Sequence, residues 1–82
     1  MSGDYDWDVS RQATERIIQL TKKERVKFFD FFDQIVTTGN QEYDEEFYDQ
    51  YGQKHFIKVF GKRIITYSID DPISLVHIEA IE

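Results

Sequence analysis

The chain has 82 residues, no cysteine, and 10 Lys+Arg against 16 Asp+Glu, for a formal charge of −6. That length allows one domain with one small core, here residues 1–82, and without cysteine no disulfide can staple it. An acidic sum argues against an ordinary nucleic-acid binder, and an aromatic content of 16% argues against disorder.

No run of 18 apolar residues occurs, so no membrane span is expected. The opening MSGDYDWD is acidic and lacks an apolar run, unlike a secretory signal. With the absence of cysteine, this sets the expectation of a cytoplasmic protein.

In chain order, residues 5–9 alternate as a short strand, with Tyr5, Trp7 and Val9 on one face and Asp6 and Asp8 on the other. Ser10 is a helix N-cap candidate, and Ala13, Ile17 and Leu20 then fall at helical spacing, with Ile18 beside them. Thr21-Lys22-Lys23-Glu24 is a capping box that starts a second helix after a tight break. Val26, Phe28, Phe29, Phe31, Phe32, Ile35 and Val36 give that helix a broad apolar stripe, read as core. Gly39 is its expected left-handed stop.

Residues 40–53 are acidic and aromatic, and fit either a short helix over 42–48 or an ordered loop. Tyr43, Phe47, Tyr48 and Tyr51 are its expected anchors to the core. The rest is β signal: strands over 54–60, 63–69 and 73–81, broken by Gly61-Lys62 and by Asp70-Asp71-Pro72. The expected architecture is therefore two-layer α+β in the order β-α-α-β-β-β, a helical hairpin on a mainly antiparallel four-stranded sheet.

The sum of −6 hides a pattern. Residues 41–53 hold Glu42, Asp44, Glu45, Glu46 and Asp49 with no Lys or Arg, whereas 54–67 hold Lys54, Lys58, Lys62 and Arg63 with no acid. A two-residue turn at Gly61-Lys62 sets Phe60 opposite Arg63 and Val59 opposite Ile64. Alternation then puts Lys54, Phe56, Lys58, Phe60, Arg63, Ile65 and Tyr67 on one face. His55, Ile57, Val59, Ile64, Thr66 and Ser68 share the other. Both faces carry apolar residues, so pattern alone leaves open which one meets the helices. Lys58 and Arg63 become neighbours of like charge, which calls for a nearby acid such as Glu45 or Glu46, or for a bound anion.

Other chemistry is sparse. There is no thiol nucleophile, no G-x-S-x-G serine, no glycine-rich phosphate loop and no calcium loop. His77-x-Glu79 places two potential ligands on one strand face and His55 could join them, but no spacing guarantees the three or four convergent ligands that zinc needs, so neither metal nor cofactor is expected. Either histidine could serve as an acid or base if it borders the anion site.

The whole pattern resembles the RelE/ParE toxin superfamily: a short strand and cap, a helical hairpin, then a basic meander. The most similar stretch is FIKVFGKRIITYSI at 56–69, followed by DD and LVHIEAI. The family's hairpin reads as K-[IV]-[KR], a glycine turn, then R-[ILV]-[ILV]-Y. Ile57-Lys58-Val59, Gly61 and Arg63-Ile64-Ile65 match it, with Tyr67 one place late. The resemblance implies a toxin of a toxin–antitoxin pair, bound by a cognate antitoxin and acting on translation, by mRNA cleavage at the ribosome, or on DNA gyrase. An enzymatic member would be a metal-independent endoribonuclease. Lys58 and Arg63 would hold the phosphate and His77 act as acid or base, with Lys54, His55 and Lys62 as peripheral anion contacts. Glu79 and Glu82 depart from the family, whose cleaving members carry a further Arg, Tyr or His in that region. The alternative is a non-catalytic interaction module on the same fold, with an acidic surface.

Overall fold

The computed structural model describes residues 6–38 and 42–82; the readings placed on Tyr5 and Gly39 lie outside them. Two helices pack on one face of a mixed sheet. The elements are β1 (Asp6–Val9), α1 (Arg11–Gln19), α2 (Lys22–Thr38), β2 (Glu45–Tyr48), β3 (Lys54–Phe60), β4 (Arg63–Asp70) and β5 (Leu75–Ile81). The sheet order is β1-β5-β4-β3-β2, with β1 parallel to β5 and every other pair antiparallel.

The expectation of four strands is corrected to five. The segment read as a short helix or loop supplies β2, paired in register with β3 from Glu45 opposite Ile57 to Tyr48 opposite Lys54. Local pattern is weak in EEFY, and the unpaired edge of β3 decides the matter by offering a row of backbone partners. Asp44 extends this join, its Oδ2 accepting the Val59 N–H at 2.7 Å. Of the four expected aromatic anchors, Tyr43 packs on Phe56 and Phe47 stacks on His55. Tyr48 and Tyr51 stand in solvent.

Both helix starts follow their sequence signals. Ser10 Oγ accepts the Ala13 N–H at 3.1 Å. At the second start, the Glu24 N–H donates to Thr21 Oγ1 at 3.1 Å, and the Thr21 N–H donates to Glu24 Oε1 at 2.9 Å. The first helix is pinned to β5: Ser10 Oγ donates to the Glu79 carbonyl, and the Gln12 amide both donates to and accepts from the Ile81 backbone.

The question of sheet faces is settled by burial. Phe56, Ile65 and Tyr67 meet Phe28, Phe31, Phe32 and Ile35 of α2 in the core, with Ala13, Leu20, Val76, Ile78 and Ile81. Burying each large apolar side chain there contributes about 1.5–3 kcal/mol. The stripe on α2 is narrower than its apolar count: Val26 is exposed, and Phe29 is partly exposed at its edge against Trp7. Ile78 and Ile81 both reach the core although three residues apart, because a β-bulge shifts the β4–β5 register between Thr66 and Tyr67. No helix among the described residues is long and apolar enough to cross a membrane.

Candidate functional site: a basic cleft at the hairpin tip

The β3–β4 hairpin has the register that a two-residue turn dictates, Phe60 opposite Arg63 and Lys58 opposite Ile65. Gly61 takes a φ of 58°, the left-handed conformation that a tight hairpin needs. With Ile65 and Tyr67 fixed against α2, strand alternation turns Lys58 and Arg63 to the helix side. There the hairpin tip and the start of α2 enclose a cleft of about 450 Å³. Lys27, Lys58, Lys62 and Arg63 line it, and Glu24 is the one acid among its lining residues. Its floor is apolar, from Leu20, Phe28, Phe60, Ile65 and Ile81.

The cations are held differently. Arg63 meets α2, its Nε donating to Glu24 Oε2 at 3.3 Å. The Thr21 N–H, and secondarily Arg63, hold the Glu24 carboxyl below the usual carboxylate range against the opposing effect of desolvation. Lys58 instead sets its ammonium over the rings of Phe31 and Phe60, 5.9 and 5.7 Å from the centroids. Such cation–π contacts orient a charge without neutralising it. Among the described residues, no acid pairs with Lys27, Lys58 or Lys62. The acidic 42–49 segment does not reach Lys58 or Arg63; its Glu46 pairs with Lys54 at 3.0 Å.

Of the residues singled out from sequence, the structure thus brings Lys58, Lys62 and Arg63 together. Lys54 lies at the other end of β3, committed to Glu46. Both histidines lie on the face away from the helices. His77 Nδ1 is 3.0 Å from Asp8 Oδ2. His55 is largely buried, with Nδ1 2.8 Å from Glu79 Oε1 and Nε2 2.8 Å from Asp49 Oδ2. Burial lowers the His55 pKa, but the two carboxylates outweigh it and the net shift is upward. Asp49 and Glu79 sit on opposite ring nitrogens and do not converge, and no metal-holding cluster occurs among the described residues.

Two lining residues escaped the sequence reading. Lys27 comes from a helix of mixed charge and carries no distinguishing signal. Glu24 is legible as a cap, but the partner of its second oxygen is 39 positions away.

No protein-family model and no curated protein matches the sequence. Solved structures do match. The fold superposes on a chain of the archaeal RelE–RelB complex from Pyrococcus horikoshii OT3 with a TM-score of 0.79. That match covers 95% of this chain and 92% of the other at 15% identity. It superposes on a chain of the toxin–antitoxin complex RelBE2 from Mycobacterium tuberculosis with a TM-score of 0.74, covering 100% and 93% at 16% identity. At such identity the likeness speaks for architecture, and there the resemblance read from the sequence holds: the chain has the RelE-like α+β fold.

Proposed function

We propose that the chain is the toxin-family member of a toxin–antitoxin pair, and that its basic cleft holds RNA phosphate. The observation that carries this reading is Lys58, an ammonium fixed over two rings beside Arg63 with no acid partner among the described residues. Unpaired cations over an apolar floor suit a strand that brings phosphate charge and base surface together. RelB-type antitoxins partner the similar solved proteins, and by that likeness a cognate antitoxin is the partner here.

The chemistry is phosphodiester cleavage in mRNA on the ribosome, without a metal. Attack of a 2′-OH on the adjacent phosphorus forms a 2′,3′-cyclic phosphate and breaks the bond to the 5′ oxygen; the 2′-OH proton passes to solvent water, and the leaving oxygen takes one up from it. Charge builds on the non-bridging oxygens, and Arg63 and Lys58 are the groups positioned to stabilise it. Lys62 and Lys27 extend the field along the strand. Neither histidine lines the cleft, so the reading rests on charge stabilisation and gives His55 and His77 no part in it.

Induction in a bacterial host tests this. Growth should stop, message should be cut, and Arg63→Ala and Lys58→Ala should each relieve the arrest. Arrest that survives Arg63→Ala sinks the catalytic reading. Arrest with intact message and inhibited supercoiling moves the target to gyrase. One observation favours a second reading, a non-catalytic interaction module: Arg63 already has a carboxylate partner. Harmless expression with no RNA cut would support it.

A further inference from the structure

We infer that Glu24 is a positioning residue for the cleft: it grips Arg63 by the Nε edge and so presents the terminal guanidinium nitrogens to a phosphate. The inference rests on the reading of the cleft as a phosphate site.

Glu24 does two jobs with two oxygens. Oε1 accepts the Thr21 N–H at 2.9 Å and closes the capping box, while the Glu24 N–H is held by Thr21 Oγ1. The carboxylate is therefore fixed by the first turn of α2 and does not swing as a free side chain. Oε2 is left to face Arg63, and takes only its Nε–H, at 3.3 Å. Arginine carries five N–H donors in a rigid plane. One is used, no other hydrogen bond of the Arg63 side chain occurs among the described residues, and the edge formed by the two Nη groups remains for a bidentate partner. This is also the one ion pair among the described residues that joins α2 to the β3–β4 hairpin. The helix cap thereby sets the plane of the arginine on the strand. A competing counter-ion would take the bidentate edge itself, and Glu24 does not.

The rival role is simple repulsion, since a carboxylate in an anion cleft lowers the field. The two roles predict opposite signs. The test is binding of a single-stranded RNA oligonucleotide to the whole protein, with the ¹⁵N-detected Nε–H signal of Arg63 as a second readout. Positioning predicts that Glu24→Ala weakens binding about fivefold, the loss of one orienting contact. Glu24→Gln keeps one acceptor oxygen in place of two, so it can take the Thr21 N–H or the Arg63 Nε–H but not both, and its affinity should fall between those of Glu24→Ala and the wild type. Thr21→Ala weakens the same cap yet leaves the grip on Arg63, so its affinity should stay near that of the wild type. The Nε–H signal should be protected in the wild type and lost in Glu24→Ala.

Equal or tighter binding by Glu24→Ala overturns the inference, as does an unprotected Nε–H in the wild type. Weakening by Thr21→Ala as large as by Glu24→Ala also overturns it, by tracing the effect to the helix end. Those failures leave wild-type binding sensitive to Arg63→Ala. A wild type that binds no RNA overturns the phosphate reading and this inference together.

Discussion

The two ends of the β3–β4 hairpin carry the same charge run and treat it in opposite ways. At the open end, each basic group has acidic partners: Lys54 pairs with Glu46, and His55 lies between Asp49 and Glu79. Asp49 is itself locked, its Oδ1 accepting the Tyr51 and Gln53 N–H groups in the β2–β3 turn. At the tip, Lys58 and Lys62 have no acid among the described residues, and Arg63 has one long contact. Neutralised charges at the open end bind β2 to the sheet and serve structure. Uncompensated charges at the tip contribute nothing comparable to stability, so a ligand is the better account of them. A single run of four cations is thus two features, one paired into the fold and one left open at the cleft.

The largest expected effect separates the ends directly. Arg63→Ala and Lys58→Ala should each weaken binding of single-stranded RNA about tenfold or more, as loss of a charged contact does. Each should also flatten the slope of log affinity against log salt by about 0.7, the value for one phosphate contact on a single strand. Filter binding across a salt series checks both numbers. Unchanged slopes would mean that the tip is not the phosphate site.

Much of this architecture is legible in the sequence because its signals are local. Ser10 and the Thr21–Glu24 box name the helix starts, and Gly61 fixes a register that the strands obey pair by pair. What is not legible depends on distant partners. The faces of β3 and β4 look alike because Ile57, Val59 and Ile64 balance Phe56, Phe60 and Ile65; only α2 chooses between them. The strand character of 45–48 comes from the edge of β3 and not from its own residues. The bulge that sends both Ile78 and Ile81 inward breaks the period-two rule that sequence reading relies on. At the site, the run of cations is visible but its division is not. Whether a cation faces Glu46 or an open cleft is decided by chain dozens of residues away.

The second prediction concerns the open end and is a pH dependence. The raised pKa of His55 means that its charged form stabilises the fold. That contribution is complete below the ordinary value of 6.5 and is lost as pH rises through the raised folded value. Asp49 has the opposite sign: the hydrogen bond to His55 is the main cause that holds its pKa below 3.8, so its contribution is lost as pH falls through the lowered value. The cluster therefore stabilises most between 3.8 and 6.5. His55→Gln should lower Tm most in that window and progressively less in alkaline solution, while leaving RNA binding intact. A Tm difference that does not change with pH would remove the ionic account of this end.

Between the two ends, Tyr67 is fully buried and its hydroxyl has no hydrogen-bond partner among the described residues. Burial pushes its pKa well above the ordinary value, so the group is a neutral phenol. An orphaned hydroxyl in a core costs about 1–3 kcal/mol. The ring, by contrast, is well used, stacked on Phe56 at 5.2 Å and edge-on to Phe31 at 5.7 Å. Tyr67→Phe keeps those contacts and removes the orphan, so it should raise stability by about 1 kcal/mol and Tm by about 4–8 °C. Loss of stability instead would show that the hydroxyl has a partner in solution.

The smallest expected effect is at Lys54. Its ion pair with Glu46 is open to solvent, with both side chains a little over one-third exposed, and screening leaves such pairs little net worth. The ammonium has a second contact, 5.4 Å from the centroid of the Phe56 ring. Lys54→Met keeps an unbranched side chain at that position and deletes the charge. It should change RNA affinity by less than about twofold and leave the salt slope within about 0.2 of the wild type, because a neutralised cation releases no counter-ion on binding. Lys54 and Lys58 are four residues apart on one strand face, so the pair of variants measures the division directly. If Lys54→Met lowers affinity as far as Lys58→Ala does, the strand binds along its whole length and Glu46 yields Lys54 to the ligand.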